Sequence, residues 1–125
     1  MTDRNRARGA LVGQAVGDAF GTTLEFSSPR APAFPELAKG PLHEVVGGGP
    51  FHVAPGQVTD DTQLACCLAA SLLARGGFDA DDVARRYVEW MPKAFDIGTQ
   101  TSSSLRNCRD GMAPLEAGRA AWGGP

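Results

Sequence analysis

Several residue types are scarce in this 125-residue chain, which has three cysteines, two histidines, two tryptophans and one tyrosine. An odd number of cysteines, two of them adjacent at Cys66 and Cys67, argues against the paired, loop-placed disulfides of a small secreted domain. No Cys-x-x-Cys and no mixed Cys/His ligand spacing occurs, which argues against zinc. The three thiols are expected inside the fold as small hydrophobes. Positive charge is not in excess either. Twelve Lys and Arg stand against 14 Asp and Glu, a net charge of −2, so there is no basic field for nucleic acid and no polybasic stretch for an anionic membrane. Long apolar runs are also missing. The longest helix-like stretch, Gly9 to Leu24, is interrupted by Gln14 and Asp18 and is too short and too polar to cross a bilayer. Arg4, Arg6 and Arg8 precede it as basic residues precede a signal peptide, but a secretory core would not carry Asp18. These features together predict a cytoplasmic protein.

What remains is the composition of one compact domain, 1–125, with 42% apolar residues. Six of the nine prolines fall between residues 29 and 55, so irregular structure is concentrated there. Asp3 to about Phe20 carries Leu11, Val12, Ala15, Val16, Ala19 and Phe20 at helical spacing. Gly9, Gly13, Gly17 and Gly21 recur every fourth residue along one side of that helix, at a cost of about 1 kcal/mol each against alanine. Close approach of another helix, or of a ligand, is the expected compensation. The segment 27–57 reads as a long connection with at most one short strand, His43 to Val46; such connections often border a site. A second helix is predicted from about Asp60 to Arg75, with Leu64, Cys67, Leu68, Ser71, Leu72 and Ala74 on its inner face and Gly76-Gly77 as its stop. A third follows Asp79 as N-cap and reaches about Met91, before Pro92. A fourth covers about Thr99 to Arg109, and a fifth opens at Pro114 and runs to about Ala121. The fold class is therefore all-α, with four or five helices.

The sharpest chemical feature is Thr59-Asp60-Asp61 where the second helix begins. Successive helical residues point about 100° apart, so these three converge only at a helix start, where Thr59 is not yet helical. One hydroxyl and two carboxylates form an oxygen-only set suited to a hard cation, Mg²⁺ or Mn²⁺. The same residues also make a good helix opening, with Thr59 as N-cap and acids in the first turn, and the motif alone leaves both readings open.

Three segments occur in order: Gly17-Asp18-Ala19-Phe20-Gly21 followed by Glu25, then Gln57 to Leu64 around Thr59-Asp60-Asp61, then Phe95-Asp96-Ile97-Gly98-Thr99. This set resembles the amino-terminal part of the ADP-ribosylglycohydrolase family, typified by the enzyme that reactivates dinitrogenase reductase. The resemblance runs from about Arg8 to Trp122. It implies an all-α glycohydrolase-like bundle, represented here by its first four or five helices, and a binuclear Mg²⁺ or Mn²⁺ site. By the same resemblance Thr59, Asp60 and Asp61 ligate metal, and Glu25 contacts metal or takes part in catalysis. Asp96 lies against the substrate ribose as general acid/base, with Gly98 and Thr99 near the ADP-ribose. The implied reaction removes ADP-ribose from a modified protein, at arginine, or from a small molecule.

The family's second ligand run, D-x-D-[ST], has no counterpart after Asp96, where only Asp110 and Glu116 follow. Asp79-Ala80-Asp81 has the D-x-D spacing but reads as a helix cap. Three further readings accompany the enzymatic one: a complementing chain that supplies the remaining ligands, a non-catalytic helical module that binds ADP-ribose or a protein partner, and an inert fragment.

Overall fold

The computed structural model describes residues 2–26 and 44–122. The chain divides into two compact units, Met1–Thr62 and Gln63–Pro125. Among the described residues all regular structure is helical, apart from one isolated β-bridge.

In the first unit, α1 spans Asp3–Gly21. Thr2 opens it as N-cap, accepting the Asn5 N–H, with Asp3 in the first turn to favour the dipole. A single 3₁₀ turn, Thr22–Leu24, closes it. A Cβ built on Gly9, Gly13, Gly17 or Gly21 meets no atom within 4 Å among the described residues, so no close backbone approach offsets these glycines here. The residues beside the stripe hold the helix in place instead. Ala19 is buried, and Gln14 and Asp18, one turn apart on the same face, reach the segment around Asp61.

The described part of the long connection begins at Glu44. The strand expected at His43 to Val46 does not form there, and His43 itself lies outside the described residues. Pairing is confined to one antiparallel bridge, in which Gly48 N–H donates to Val53 O at 2.8 Å and Val53 N–H returns to Gly48 O at 3.1 Å. The reason is conformational: Gly47, Gly48 and Gly49 have φ of +69°, +85° and +68°, left-handed backbone that cannot extend a ladder. His52 also has a positive φ, 52°, and its N–H closes the turn onto Gly49 O. Gly49 lies directly on the 3₁₀ turn, where an added Cβ would stand 2.7 Å from Thr23 Cα and 2.8 Å from Thr22 O. The rest of the connection, residues 27–43, lies outside the described residues.

The remaining helices keep their expected limits: α2 Asp60–Arg75, α3 Ala80–Trp90, α4 Thr99–Arg109 and α5 Pro114–Ala121. Gly76 at φ +70° turns the chain out of α2, and Gly111 at φ +100° follows α4. Asp79 is the N-cap of α3 and accepts the Asp82 N–H at 3.0 Å, so the D-x-D spacing there is indeed a cap. In the second unit α3, α4 and α5 pack on one another, with Val83, Leu105 and Ala117 buried, and Trp90 is buried at the end of α3. A polar pair joins α2 to α3: Trp90 Nε1 donates to Gln63 Oε1 at 2.7 Å.

Two expectations about α2 need correction. Its inner face does not continue through Leu72 and Ala74, which are exposed, while Ser71 is fully buried. The buried edge of the helix is set by its polar tie to α3, and the apolar residues of the last turn lie beyond it. The thiols are also not buried together. All three are free; Cys66 is exposed, and Cys67 and Cys108 are half-buried. Cys66 and Cys67 point about 100° apart on the helix, and here the second of them turns toward the packed side. No helix among the described residues is long and apolar enough to cross a membrane.

Candidate functional site

The site is built where α2 starts, and the residue that builds it comes from α1. The Asp18 carboxylate is part-buried and receives donors from both sides of the helix opening. Its Oδ2 accepts the Thr59 N–H at 2.9 Å, the Thr62 N–H at 3.2 Å and the Thr62 hydroxyl at 2.6 Å. Its Oδ1 accepts the Thr59 hydroxyl at 2.8 Å. The Thr22 hydroxyl, which donates to the backbone Asp18 O at 2.8 Å, lies 3.2 Å from Asp18 Oδ1. Burial opposes ionisation of Asp18, but the hydrogen bonds from Thr62 and Thr59 outweigh it and hold the carboxyl below its ordinary value. Gln14 adds a second tie, donating from Nε2 to Asp61 O at 3.0 Å.

This arrangement alters the capping reading. The Thr62 amide in the first turn is satisfied by a carboxylate from another helix, and Thr59 acts as a donor toward that carboxylate. Thr59 and Thr62 are both buried, at 3% and 8% exposure, so bulk water does not compete for their hydroxyls. Each hydroxyl has one proton, which it donates in a hydrogen bond to Asp18, so its oxygen lone pairs remain available to accept or to ligate.

Asp60 and Asp61 follow as the first two residues of α2, Asp60 half-buried and Asp61 exposed. Partial burial, then Asp60, then Asp18 push the Asp61 carboxyl above its ordinary value. Negative charge is therefore crowded at one helix start, with no ion pair to Asp60 or Asp61 among the described residues, and the donors there are oxygens. Among the described residues no group of three or more His, Cys, Asp or Glu side chains is gathered as a metal cluster; the set here counts a hydroxyl among its oxygens. Hard oxygen donors, an oriented hydroxyl and crowded negative charge are what a Mg²⁺- or Mn²⁺-sized ion requires, so the residues fit such an ion.

Among the other residues singled out by sequence, Glu25 belongs to the same unit. It follows the 3₁₀ turn, half-buried, with its N–H directed to Thr22 O at 3.4 Å. Phe26 beside it has a φ of 58°, left-handed backbone that is uncommon for a bulky residue, and its ring lies 6.0 Å from that of Phe51. Asp96, Gly98 and Thr99 belong to the second unit. Asp96 is half-buried in the turn before α4; Gly98 is the N-cap position of α4, and Thr99 is its first residue. Asp18, Thr62 and Gln14 are the contributors that spacing did not single out as site residues. The available signal was an acid set in an apolar helical run, Gly17-Asp18-Ala19-Phe20-Gly21.

A family model for ADP-ribosylglycohydrolase matches residues 1–124. The chain belongs to the ADP-ribosylglycohydrolase family. Among relatives, an ADP-ribosylarginine hydrolase of Serratia proteamaculans is 41% identical over 111 residues, covering 81% of this chain and 28% of the relative. The ADP-ribosyl-dinitrogen reductase glycohydrolase of Rhodospirillum rubrum is 36% identical over 105 residues, covering 82% of this chain and 34% of the relative. A solved structure, an ADP-ribosylglycohydrolase-related protein complex, superposes with a TM-score of 0.65 at 42% identity, covering 84% of this chain and 33% of that one. The chain thus spans about a third of the length of the family members it matches. Its all-α architecture is that of the family.

Proposed function

We propose that the chain carries one side of a glycohydrolase centre for ADP-ribosylated substrates, with Thr59, Asp60 and Asp61 as ligands of a divalent cation, Mg²⁺ or Mn²⁺. One observation carries this reading. The Asp18 carboxylate gathers the start of α2 so that a buried hydroxyl and two carboxylates stand in sequence, with the Asp61 carboxyl raised by its acidic neighbours as well as by desolvation. The relatives' activity on ADP-ribosylarginine and on ADP-ribosylated dinitrogen reductase supports an arginine-linked substrate. The free thiols and the absence, among the described residues, of a membrane-crossing helix fit a cytoplasmic setting.

In hydrolysis of the arginine-linked bond, the ribose C1′–N bond breaks, a water oxygen bonds to C1′, and the departing guanidine takes a proton. Positive charge develops on the ribose as the bond lengthens. Bound in pairs, as the family resemblance implies, divalent ions supply polarisation and alignment of the ribose hydroxyls and of water. Asp60 and Asp61 hold negative charge at the helix start, and the Thr59 oxygen presents its lone pairs. Asp96 is assigned the proton transfer and Glu25 a role at the metal or in catalysis. Gly98 and Thr99 open α4, whose first amides suit the pyrophosphate. A complementing chain would bring the family's further ligands.

The test is release of free ADP-ribose from ADP-ribosylarginine with Mn²⁺ present, run beside calorimetric titration of the chain with Mn²⁺ and with ADP-ribose. Release that disappears in Asp60→Asn supports the enzymatic reading. Mn²⁺ or ADP-ribose binding without release favours a non-catalytic binding module. No heat with either probe leaves an inert fragment.

A further inference from the structure

We propose that Asp18 is a positioning residue for the metal centre. It fixes the direction of the Thr59 hydroxyl, and through it the oxygen offered to the cation. This inference rests on the metal-binding reading of Thr59, Asp60 and Asp61 given above.

Plain capping of α2 explains only part of what Asp18 does. Two backbone donors, the N–H groups of Thr59 and Thr62, are satisfied by Oδ2. The two hydroxyl donations, from Thr59 to Oδ1 at 2.8 Å and from Thr62 to Oδ2 at 2.6 Å, satisfy no helix amide. Their effect falls on the hydroxyls. A hydroxyl has one proton, and the direction it takes decides where its lone pairs point. With that O–H directed at Asp18 Oδ1, the Thr59 oxygen turns its lone pairs away from α1. Burial of Thr59 at 3% exposure denies the hydroxyl alternative water partners.

A carboxylate is specifically required for this arrangement. It accepts only, so every group meeting it must donate. An amide of the same shape would present one N–H₂ to four donors, and a hydroxyl facing it would have to turn and accept. Asp18 is itself held at both oxygens, and Gln14, one turn earlier on α1, fastens Asp61 O at 3.0 Å. The face of α1 that carries Gln14 and Asp18 thus acts as a template for the ligand segment.

The test titrates the full chain with Mn²⁺, followed by calorimetry and by loss of the free-Mn²⁺ paramagnetic signal, with the metal-free thermal midpoint recorded in parallel. Asp18→Asn is expected to bind Mn²⁺ about 10–100-fold more weakly, as loss of an outer partner of a metal ligand does. If the effect passes through the hydroxyl, Asp18→Asn adds little once Thr59→Val has already removed it. A lowered midpoint with unchanged Mn²⁺ affinity, or fully additive losses in the double variant, would overturn the proposal and assign Asp18 a purely structural role. If Asp18→Asn does not fold, Thr62→Val serves instead, removing the 2.6 Å partner while leaving Asp18 charged. Weaker Mn²⁺ binding in that variant supports the proposal, and unchanged binding overturns it. Absence of Mn²⁺ binding by the parent chain overturns both this inference and the metal-centre reading, whereas parent binding that ignores Asp18 overturns this inference alone.

Discussion

The buried Ser71 hydroxyl donates to Asp82 Oδ2 at 2.7 Å, fastening the middle of α2 to the first turn of α3. Arg86 Nε at 2.6 Å and Arg85 Nη2 at 2.7 Å complete the partners of that carboxylate. Arg86, then Arg85 and Ser71, hold the Asp82 carboxyl well below the usual carboxylate range. A lowered value means that the stabilisation is complete above the ordinary 3.8 and is lost as the pH falls through the folded-state value. The urea midpoint should therefore decline below that point, and Asp82→Asn should make the acid decline shallower. Asp18 and Asp79, lowered as well, keep part of the slope. Superimposable acid limbs for parent and variant would remove Asp82 from this account.

Asp61 behaves in the opposite sense. Its carboxyl is raised by burial, Asp60 and Asp18, so the folded state is penalised as the pH climbs through the folded value and the penalty is complete at neutrality. Without metal, Asp61→Asn should melt a few degrees above the parent at neutral pH and equal it in strong acid. With saturating Mn²⁺ only the parent should gain stability. Equal Mn²⁺ shifts in parent and variant, measured by scanning calorimetry, would refute the ligand assignment. Asp60→Asn removes the same repulsion from the other side and should also melt above the metal-free parent.

The three glycines of the loop separate conformation from space. Gly48 has open space for a Cβ but a φ of +85°, so Gly48→Ala should cost about 1–2 kcal/mol from backbone conformation alone. Gly49 has φ +68°, and an added Cβ would lie within 2.8 Å of Thr22 O on the turn beneath it. Gly49→Ala should cost more than Gly48→Ala in chemical unfolding, and it should weaken Mn²⁺ binding by displacing the turn next to Asp18. A smaller loss at Gly49 than at Gly48 would contradict the close approach.

Gly13 tests the stripe on α1. No atom lies within 4 Å of a Cβ built there, and the residue is helical and exposed. Gly13→Ala should stabilise the chain by about 1 kcal/mol, the propensity difference in an exposed helix interior. Destabilisation in the unfolding curve would mean that the stripe is covered in solution.

Helix positions were legible because their signals are local. Asp79 before a run with Val83 and Trp90, Pro114 at a first helical position, and Gly76 and Gly111 at the exits each act within a turn of the residues they govern. The Thr59-Asp60-Asp61 opening was legible for the same reason. The inner edge of α2 and the depth of the cysteines were misjudged because helical spacing says which residues share a face, not what covers it.

The amino-acid order by itself determined the placement of the helices seen among the described residues, an oxygen-rich start to α2, and membership of a family recognisable from three short motifs. Only tertiary structure decided that Asp18, more than 40 residues before Thr59 and Thr62, is the carboxylate on which that start is assembled. The physical reason is distance along the chain. Caps and turns are settled by neighbours a few residues away, whereas the partner of a buried hydroxyl is whichever acceptor packing brings within about 3 Å.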